Sequence, residues 1–223
     1  MIMKVCVLLP AYNEEKEIGK IINQIRAYGL DVIVVDDGSN DNSADIARQA
    51  QAIVISHEEN KGKGQALRTG FKFIQSKDYD AVIIMDTDGQ HLPQEINKFI
   101  NYALSSDADI IIGNRMGDPQ GMPLLRRLTN NFTSLLISMI TRTKIPDSQC
   151  GFRLIRGSVL EKLNLLTAKY DTESEILIQA AKHEYKIESI PIKSIYTNNR
   201  SLIDPISDTI RFCNLIIKSM FSK

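Results

Sequence analysis

Five short apolar runs, four of them halted by glycine, proline or acid, punctuate the first half of the chain. They are Lys4 to Leu9, Asp31 to Val35, Gln51 to Ile55, Ala81 to Met85 and Ala108 to Ile112. Runs of this length, rich in Val and Ile, suit strands, and Ala81 to Met85 reads as one buried on both faces. Helical patterns lie between them. Glu14 to Tyr28 carries Ile18, Ile21, Ile22 and Ile25 at helical spacing. Asp41 or Ser43 is placed to cap a helix through about Ala50, with Asp41 expected to be only a cap. A helix follows the Asn60–Gly64 loop to about Gln75, and Pro93 opens another as a first-turn proline. Such alternation requires crossover connections. It predicts an α/β chain with a mainly parallel sheet in a three-layer α/β/α sandwich.

The second half has a different rhythm. Met122 to Lys144 reads as one long helix with Leu125, Leu128, Phe132, Leu135, Leu136, Met139 and Ile140 on one side. Gly151 to Arg156 reads as a short strand, and Thr172 to His183 as a helix. Lys186 to Tyr196 alternates as a strand, and Pro191 within it implies an edge or a bend. A last amphipathic helix is expected from about Pro205 to Phe221. With no repeat or linker, residues 1–223 are expected to form a single domain, for which the length is sufficient.

The fourth run ends in Asp86-Thr87-Asp88-Gly89-Gln90-His91. Ligands of open α/β sheets bind beyond the carboxyl ends of the strands. Two carboxylates with the amide oxygen of Gln90 make a hard oxygen site suited to Mg²⁺ or Mn²⁺. The same pattern also fits a solvated turn. On neighbouring strand ends, Tyr12 can cover a flat base, and Asp37 can accept from base N–H groups or ribose hydroxyls. Asp36-Asp37-Gly38-Ser39 serves equally as a turn and helix cap. In the Asn60–Gly64 loop, backbone N–H groups and Lys63 can face an anion, or the loop is only a connection. It lacks the spacing of a P-loop, and no strand ends in the dinucleotide glycine pattern, which counts against a dehydrogenase.

Lys+Arg and Asp+Glu number 27 each, which argues against a nucleic-acid binder working by bulk charge. Cys6, Cys150 and Cys213 lack metal-site spacing and are expected to be reduced thiols of a cytoplasmic protein. No secretory signal is legible, and no apolar stretch reaches membrane-spanning length. His57 and His183 are expected to be surface or structural residues, His91 to order the acidic loop, and Tyr185 to pack.

Taken in order, Pro10-Ala11-Tyr12-Asn13-Glu14, Asp36-Asp37-Gly38-Ser39, the Asn60–Gly64 loop, Asp86 to His91 and Gly113-Asn114-Arg115 resemble the motifs of family 2 glycosyltransferases. Asp147 to Arg153, and Tyr196 with Arg200-Ser201, narrow the likeness to dolichyl-phosphate mannose synthases and bacterial polyprenyl-phosphate glycosyltransferases. Each motif is short; their common order over nearly the whole chain carries the signal. The resemblance implies a GT-A type fold, with residues 1–115 holding a nucleotide sugar and 116–223 an acceptor. It implies that Pro10, Ala11, Tyr12, Glu14, Val35 and Asp37 hold the nucleoside, with Lys63 and Thr87 also on the donor. Asp86, Asp88 and Gln90 would hold the metal. Arg115 and Arg200 would meet phosphates or the sugar, and Asp88, Arg115, Asp147 and Arg200 would carry the chemistry. One departure stands out: the relatives often carry lysine after the serine matching Ser201, and here it is Leu202.

The implied reaction is inverting transfer of a hexose, from a donor of GDP-mannose or UDP-glucose type, to a polyprenyl phosphate. A lipid phosphate is already ionised near neutral pH. It needs a cationic seat, for which Arg115, Arg153, Arg200 and Ser201 are candidates, and no strong base. A hydroxyl acceptor would require a carboxylate base. Asp147, Glu173 and Glu175 are available, although the last two also fit an exposed helix face. A nucleotide-binding scaffold without turnover is a further alternative, and a nucleotidyltransferase would be expected to carry a glycine- and lysine-rich loop after the first strand, where Pro10 to Glu14 stands. The long helix and the last helix are basic and amphipathic. Such helices lie in a membrane interface, pack on their own domain or meet a second subunit as a homodimer, and the spacing serves all three. Peripheral membrane contact, or a membrane-protein partner, is expected to supply the lipid.

Overall fold

A computed structural model describes residues 3–167 and 171–196. The last helix expected from the sequence, together with Arg200, Ser201 and Cys213, lies outside the described residues. The order is β1 (Val5–Ala11), α1 (Ile18–Arg26), β2 (Asp31–Asp36), α2 (Ser43–Gln49), β3 (Ile53–Ser56), α3 (Lys63–Gln75) and β4 (Ala81–Ile84). Then come α4 (Ile96–Ser105), β5 (Ile110–Asn114), α5 (Leu124–Thr141), β6 (Arg153–Arg156), α6 (Gly157–Leu160), α7 (Thr172–Lys182) and β7 (Ile187–Pro191). All five strands and four helices of the first half fall close to their expected places, although β3 starts two residues late and leaves Ile53 42% exposed.

The strands form one seven-stranded sheet in the order β3-β2-β1-β4-β6-β5-β7. Every residue of β1 and β4 is buried, so both faces of the sheet centre are covered. Leu8 faces α3, where Gly70 admits it: a Cβ there would stand 2.4 Å from Leu8 Cδ1. Ile18, Ile21, Ile22 and Ile25 are the buried stripe of α1. One core runs from β1 through β4 and β5 to α7.

Two features of this sheet make the site. The chain leaves β1 for β2 on one side, while β4 joins β1 on the other, both pairings being parallel. The winding therefore reverses between β1 and β4, and a crevice opens at their carboxyl ends. The second feature is β6, which runs antiparallel between β4 and β5, with Arg153 opposite Ile84 and Ile112. Its entry loop therefore arrives at the same rim. The expected strand from Gly151 begins two residues later, because Gly151 lies against Asp86. A Cβ on Gly151 would come within 2.5 Å of Asp86 Oδ2.

The long helix is shorter than its pattern, ending at Thr141 where Arg142 turns left-handed at φ 53°. β7 stops at Pro191, the residue that marked an edge or bend. Beyond it His91 bridges Ser194, and Ile195 N–H donates to the Gln90 carbonyl at 3.0 Å. These bonds fasten the 194–195 segment to the acidic loop, and the Tyr196 ring beyond it lies 5.7 Å from the Arg126 guanidinium. No described helix is long and apolar enough to cross a membrane.

Candidate active site

Two loops build the β1–β2 side of the crevice by tying each other down. Asn13, itself left-handed at φ 57°, donates its N–H to Ser39 Oγ at 2.9 Å and accepts from Asn40 N–H at 2.8 Å. Glu14 N–H donates to Ser43 Oγ at 2.7 Å, and Glu15 N–H to Asp41 Oδ2 at 3.2 Å. Asp41 is thus more than a cap: its other oxygen accepts from Ser43 N–H and Oγ, and it links the ends of both strands. Tyr12 is 37% exposed at this lip, open to a flat ring. Pro10, Ala11 and Val35 are buried in their strands, so they form the floor. The Thr87 hydroxyl, also buried, donates to the Pro10 carbonyl at 3.2 Å.

Asp37 organises the neighbouring loop. Its carboxylate accepts from Lys61 N–H at 3.0 Å and Gly62 N–H at 2.7 Å, and meets His57 Nδ1 at 2.6 Å. His57 bonds Thr69 Oγ1 through its other nitrogen, which makes it a structural residue, as expected. Gly38 permits this closure. Its φ is 73°, and a Cβ would meet Glu59 backbone at 2.5 Å. Asp36 lies beside it with one oxygen accepting from Ser39 N–H at 3.4 Å.

On the β4 side, Asp88 is exposed and Asp86 is partly covered. Asp88 accepts from Gln90 N–H at 2.9 Å. Asp86 pairs with Lys63 Nζ at 2.5 Å. Burial alone would raise the Asp86 carboxyl, but Lys63, with His91 and Arg115 behind it, holds it down at about 2. His91 orders this loop: its Nδ1 accepts from Asp86 N–H at 3.3 Å while its ring lies 5.2 Å from Phe152. Burial lowers its pKa. Gln90, expected as the third metal oxygen, turns its amide oxygen to Arg126 Nη1 at 3.2 Å.

Glu14 reports the charge imbalance across the crevice. Burial first, then the nearby Asp88 and Asp86, push its carboxyl up to about 7. That crowding of acids fits an oxygen-seeking divalent cation. Among the described residues no three His, Cys, Asp or Glu side chains already converge as a cage. Asp86 and Asp88 would supply part of a shell that a diphosphate and waters complete.

The remaining predicted residues separate by environment. Arg115 is buried, with Nε and Nη2 on the two oxygens of Asp147 at 2.8 and 2.9 Å. Asp147 accepts also from Arg115 N–H at 3.0 Å and Asn130 Nδ2 at 2.9 Å. Burial works against both charges, and the fork-to-fork pairing outweighs it, raising the arginine and lowering the acid. Arg153 does not face a ligand. It is 1% exposed, and its guanidinium donates to the carbonyls of Cys150, Glu173 and Ser148 at 2.7, 2.6 and 2.7 Å. It fastens the β6 entry loop to α7, so the expected seat for an acceptor phosphate is instead a structural strut. Cys6 and Cys150 are buried free thiols, pushed up to about 12 by burial.

Glu173 and Glu175 are not on an exposed face; both are buried at the start of α7. Glu175 accepts from Leu166 and Thr167 N–H groups and from Thr167 Oγ1, so it fixes that loop. Glu173 reaches the site and pairs with Lys63 Nζ at 2.5 Å. Arg126 and Asn130, on one face of α5, also serve the site. Spacing offered no sign of them, because polar residues on an amphipathic helix read as its wet side.

Residues 6–164 match the family model described as Glycosyl transferase family 2. The chain belongs to that family. As a family 2 glycosyltransferase it is 34% identical, over 214 residues, to a UDP-N-acetylglucosamine–dolichyl-phosphate N-acetylglucosaminyltransferase of Methanococcus voltae, covering 86% of this chain and 85% of the relative. It is 29% identical over 190 residues to glycosyltransferase AglJ of Haloferax volcanii, covering 84% of this chain and 61% of that one. Glucosyl-3-phosphoglycerate synthase of Mycobacterium tuberculosis, crystallised with Mn²⁺, UDP and phosphoglyceric acid, superposes with a TM-score of 0.73 at 20% identity. That match covers 99% of this chain and 78% of the neighbour, and the GT-A type architecture is common to both.

Proposed function

We propose that this family 2 glycosyltransferase moves one sugar, with inversion and divalent-metal dependence, from a nucleotide sugar to a dolichyl or polyprenyl phosphate. The observation that carries the acceptor is the state of its carboxylates. A hydroxyl acceptor needs a general base, and the expected candidates are tied up: Asp147 by Arg115 and Asn130, Glu175 by the 166–167 loop, and Glu173, through one oxygen, by Lys63. An ionised phosphate needs none. The Methanococcus voltae relative's name points the same way and extends the expected donors to UDP-N-acetylglucosamine.

Residues 1–115 are assigned to the donor. Tyr12 covers the base, with Asp36 or Asp37 as its polar edge, and Asp86 and Asp88 hold Mg²⁺ or Mn²⁺. When bound, that ion supplies Lewis-acid neutralisation of the departing diphosphate. Lys63 adds a second positive charge beside it. Arg115, its rotamer fixed by Asp147, offers its remaining N–H groups to a phosphate. Asp147 is thereby a positioning residue. Residues 116–223 are assigned to the acceptor, with Arg200 and Ser201, outside the described residues, as further phosphate contacts.

The lipid brings the enzyme to a bilayer. Leu124, Leu125, Leu128, Phe132, Leu135 and Met139 of α5 are each more than half exposed, with Arg126 and Arg127 on the same helix. Arg126, on the opposite side of the same helix, touches Gln90, so α5 links the exposed apolar face to the site. We assign that face to the headgroup boundary of an anionic membrane. The test is the full chain with UDP-N-acetylglucosamine, UDP-glucose or GDP-mannose and a short polyprenyl phosphate. A sugar-phosphate-lipid product seen by mass spectrometry is expected. Transfer only to free sugars or glycans would establish the hydroxyl-acceptor reading instead.

A further inference from the structure

Lys63 sits where a metal's charge belongs. Its Nζ lies 2.5 Å from Asp86 Oδ1 and 2.5 Å from Glu173 Oε1, with the three side chains 18%, 27% and 7% exposed. The Asp86 carboxylate lies against Gly151, where an added Cβ would fall 2.5 Å from Oδ2 and 2.9 Å from Oδ1, so the glycine leaves the room that the carboxylate occupies. The ammonium takes Oδ1 of Asp86. A divalent ion on that oxygen would stand within contact distance of the ammonium, and like charges repel strongly in a partly buried site. The second carboxylate oxygen of Glu173, Oε2, is buried without a hydrogen-bond partner, so Glu173 has spare capacity to hold the lysine away from Asp86. Lys63 also opens α3, where a phosphate is favoured by the helix N-terminus.

We propose that Lys63 is a built-in stand-in cation: it occupies Asp86 until a nucleoside diphosphate draws it off, and Glu173 is the positioning residue that lets it leave. This rests on the metal site assigned above. Its consequence is that divalent ion and nucleotide bind interdependently, because the diphosphate supplies a new partner for the ammonium while the ion takes over Asp86. Ion alone binds weakly because it must displace the lysine unaided.

The test is Mn²⁺ binding to the full chain, read from the free-ion electron paramagnetic resonance signal, with and without UDP or GDP. Wild type is expected to bind Mn²⁺ about tenfold more tightly with the preferred diphosphate than without it. Glu173→Gln leaves the ammonium with Asp86 as its only acid, and Mn²⁺ alone should bind about threefold more weakly than to wild type. The double variant Lys63→Met with Glu173→Gln frees Asp86 without stranding a buried charge, and Mn²⁺ alone should bind about tenfold more tightly. A purely structural lysine would move both variants the same way or not at all. If wild type binds Mn²⁺ with nucleotide but the variants do not diverge in these opposite directions, the stand-in role is wrong and the metal site survives. If wild type binds no Mn²⁺ with either diphosphate, both are overturned.

Discussion

Arg115 and Asp147 show how far a residue's chemistry depends on what surrounds it. Their motifs marked both as candidates but gave no sign of their pairing, because they are far apart in sequence and the antiparallel β6 brings the Asp147 loop back. Asp147 is 0% exposed and Arg115 is 4% exposed. Asp147→Asn should therefore destabilise the fold by about 3–5 kcal/mol, since it strands a buried guanidinium. Urea unfolding measures this, and replacing both partners by Arg115→Met and Asp147→Leu should cost less. Glu14 gives a pH signature. Its folded carboxyl, pushed up to about 7 from 4.5, binds its proton more tightly than the unfolded chain does. The contribution is full below pH 4.5 and lost as pH rises through 7, so wild-type stability should fall across that window. Glu14→Gln should remove about 1–3 kcal/mol of that fall, as seen by thermal unfolding of the metal-free protein at pH 5 and pH 8.

Among the elements, α5 separates what periodicity can and cannot say. The spacing of Leu125, Leu128, Phe132, Leu135, Leu136, Met139 and Ile140 marked one apolar side of a helix, of which Leu136 and Ile140 pack on the core and the rest stay exposed. The spacing did not say whether protein or another medium covers that side. In the described residues most of that side is open, while Asn130, Ser134 and Ile137 turn inward. Asn130 and Ser134 bond each other and reach Asp147 and Ser148, a polar anchorage that hydrophobic patterning does not register. Phe132, 57% exposed, can be changed to Glu at little cost to the fold, within about 0.5 kcal/mol. Phe132→Glu should nonetheless reduce co-sedimentation with anionic vesicles and slow transfer to a long-chain acceptor more than to a short soluble one. Equal retention of the variant on vesicles would remove α5 from the membrane reading. The β6 entry loop makes the opposite point. Gly151→Ala places a methyl group against Asp86, and it should weaken donor binding severalfold in calorimetry, as a misplacement at a site does.

At the scale of the whole molecule, the parallel half of the sheet was legible because each strand carries its own apolar run and each helix its own stripe. That these strand ends share one rim was legible, but the pairing of β4 with β1 comes from the structure and opens the crevice beside Asp86 and Asp88. The reversal of β6 was not legible, since Arg153 to Arg156 is too short to declare a direction. That reversal decides which second-half residues reach the crevice, and it brings Glu173 to Lys63 and turns Arg153 into the core. Asp88 is exposed, so Asp88→Ala should leave stability within about 0.5 kcal/mol of wild type. The same variant should lose the metal-dependent thermal shift produced by the preferred nucleoside diphosphate. The most direct measurement is the anomalous scattering of a crystal soaked with Mn²⁺ and that diphosphate. A manganese peak bounded by Asp86, Asp88 and the phosphate oxygens, at the carboxyl end of β4, is expected. Nucleotide bound in the crevice with no manganese there, or manganese seated elsewhere, would contradict the assignment.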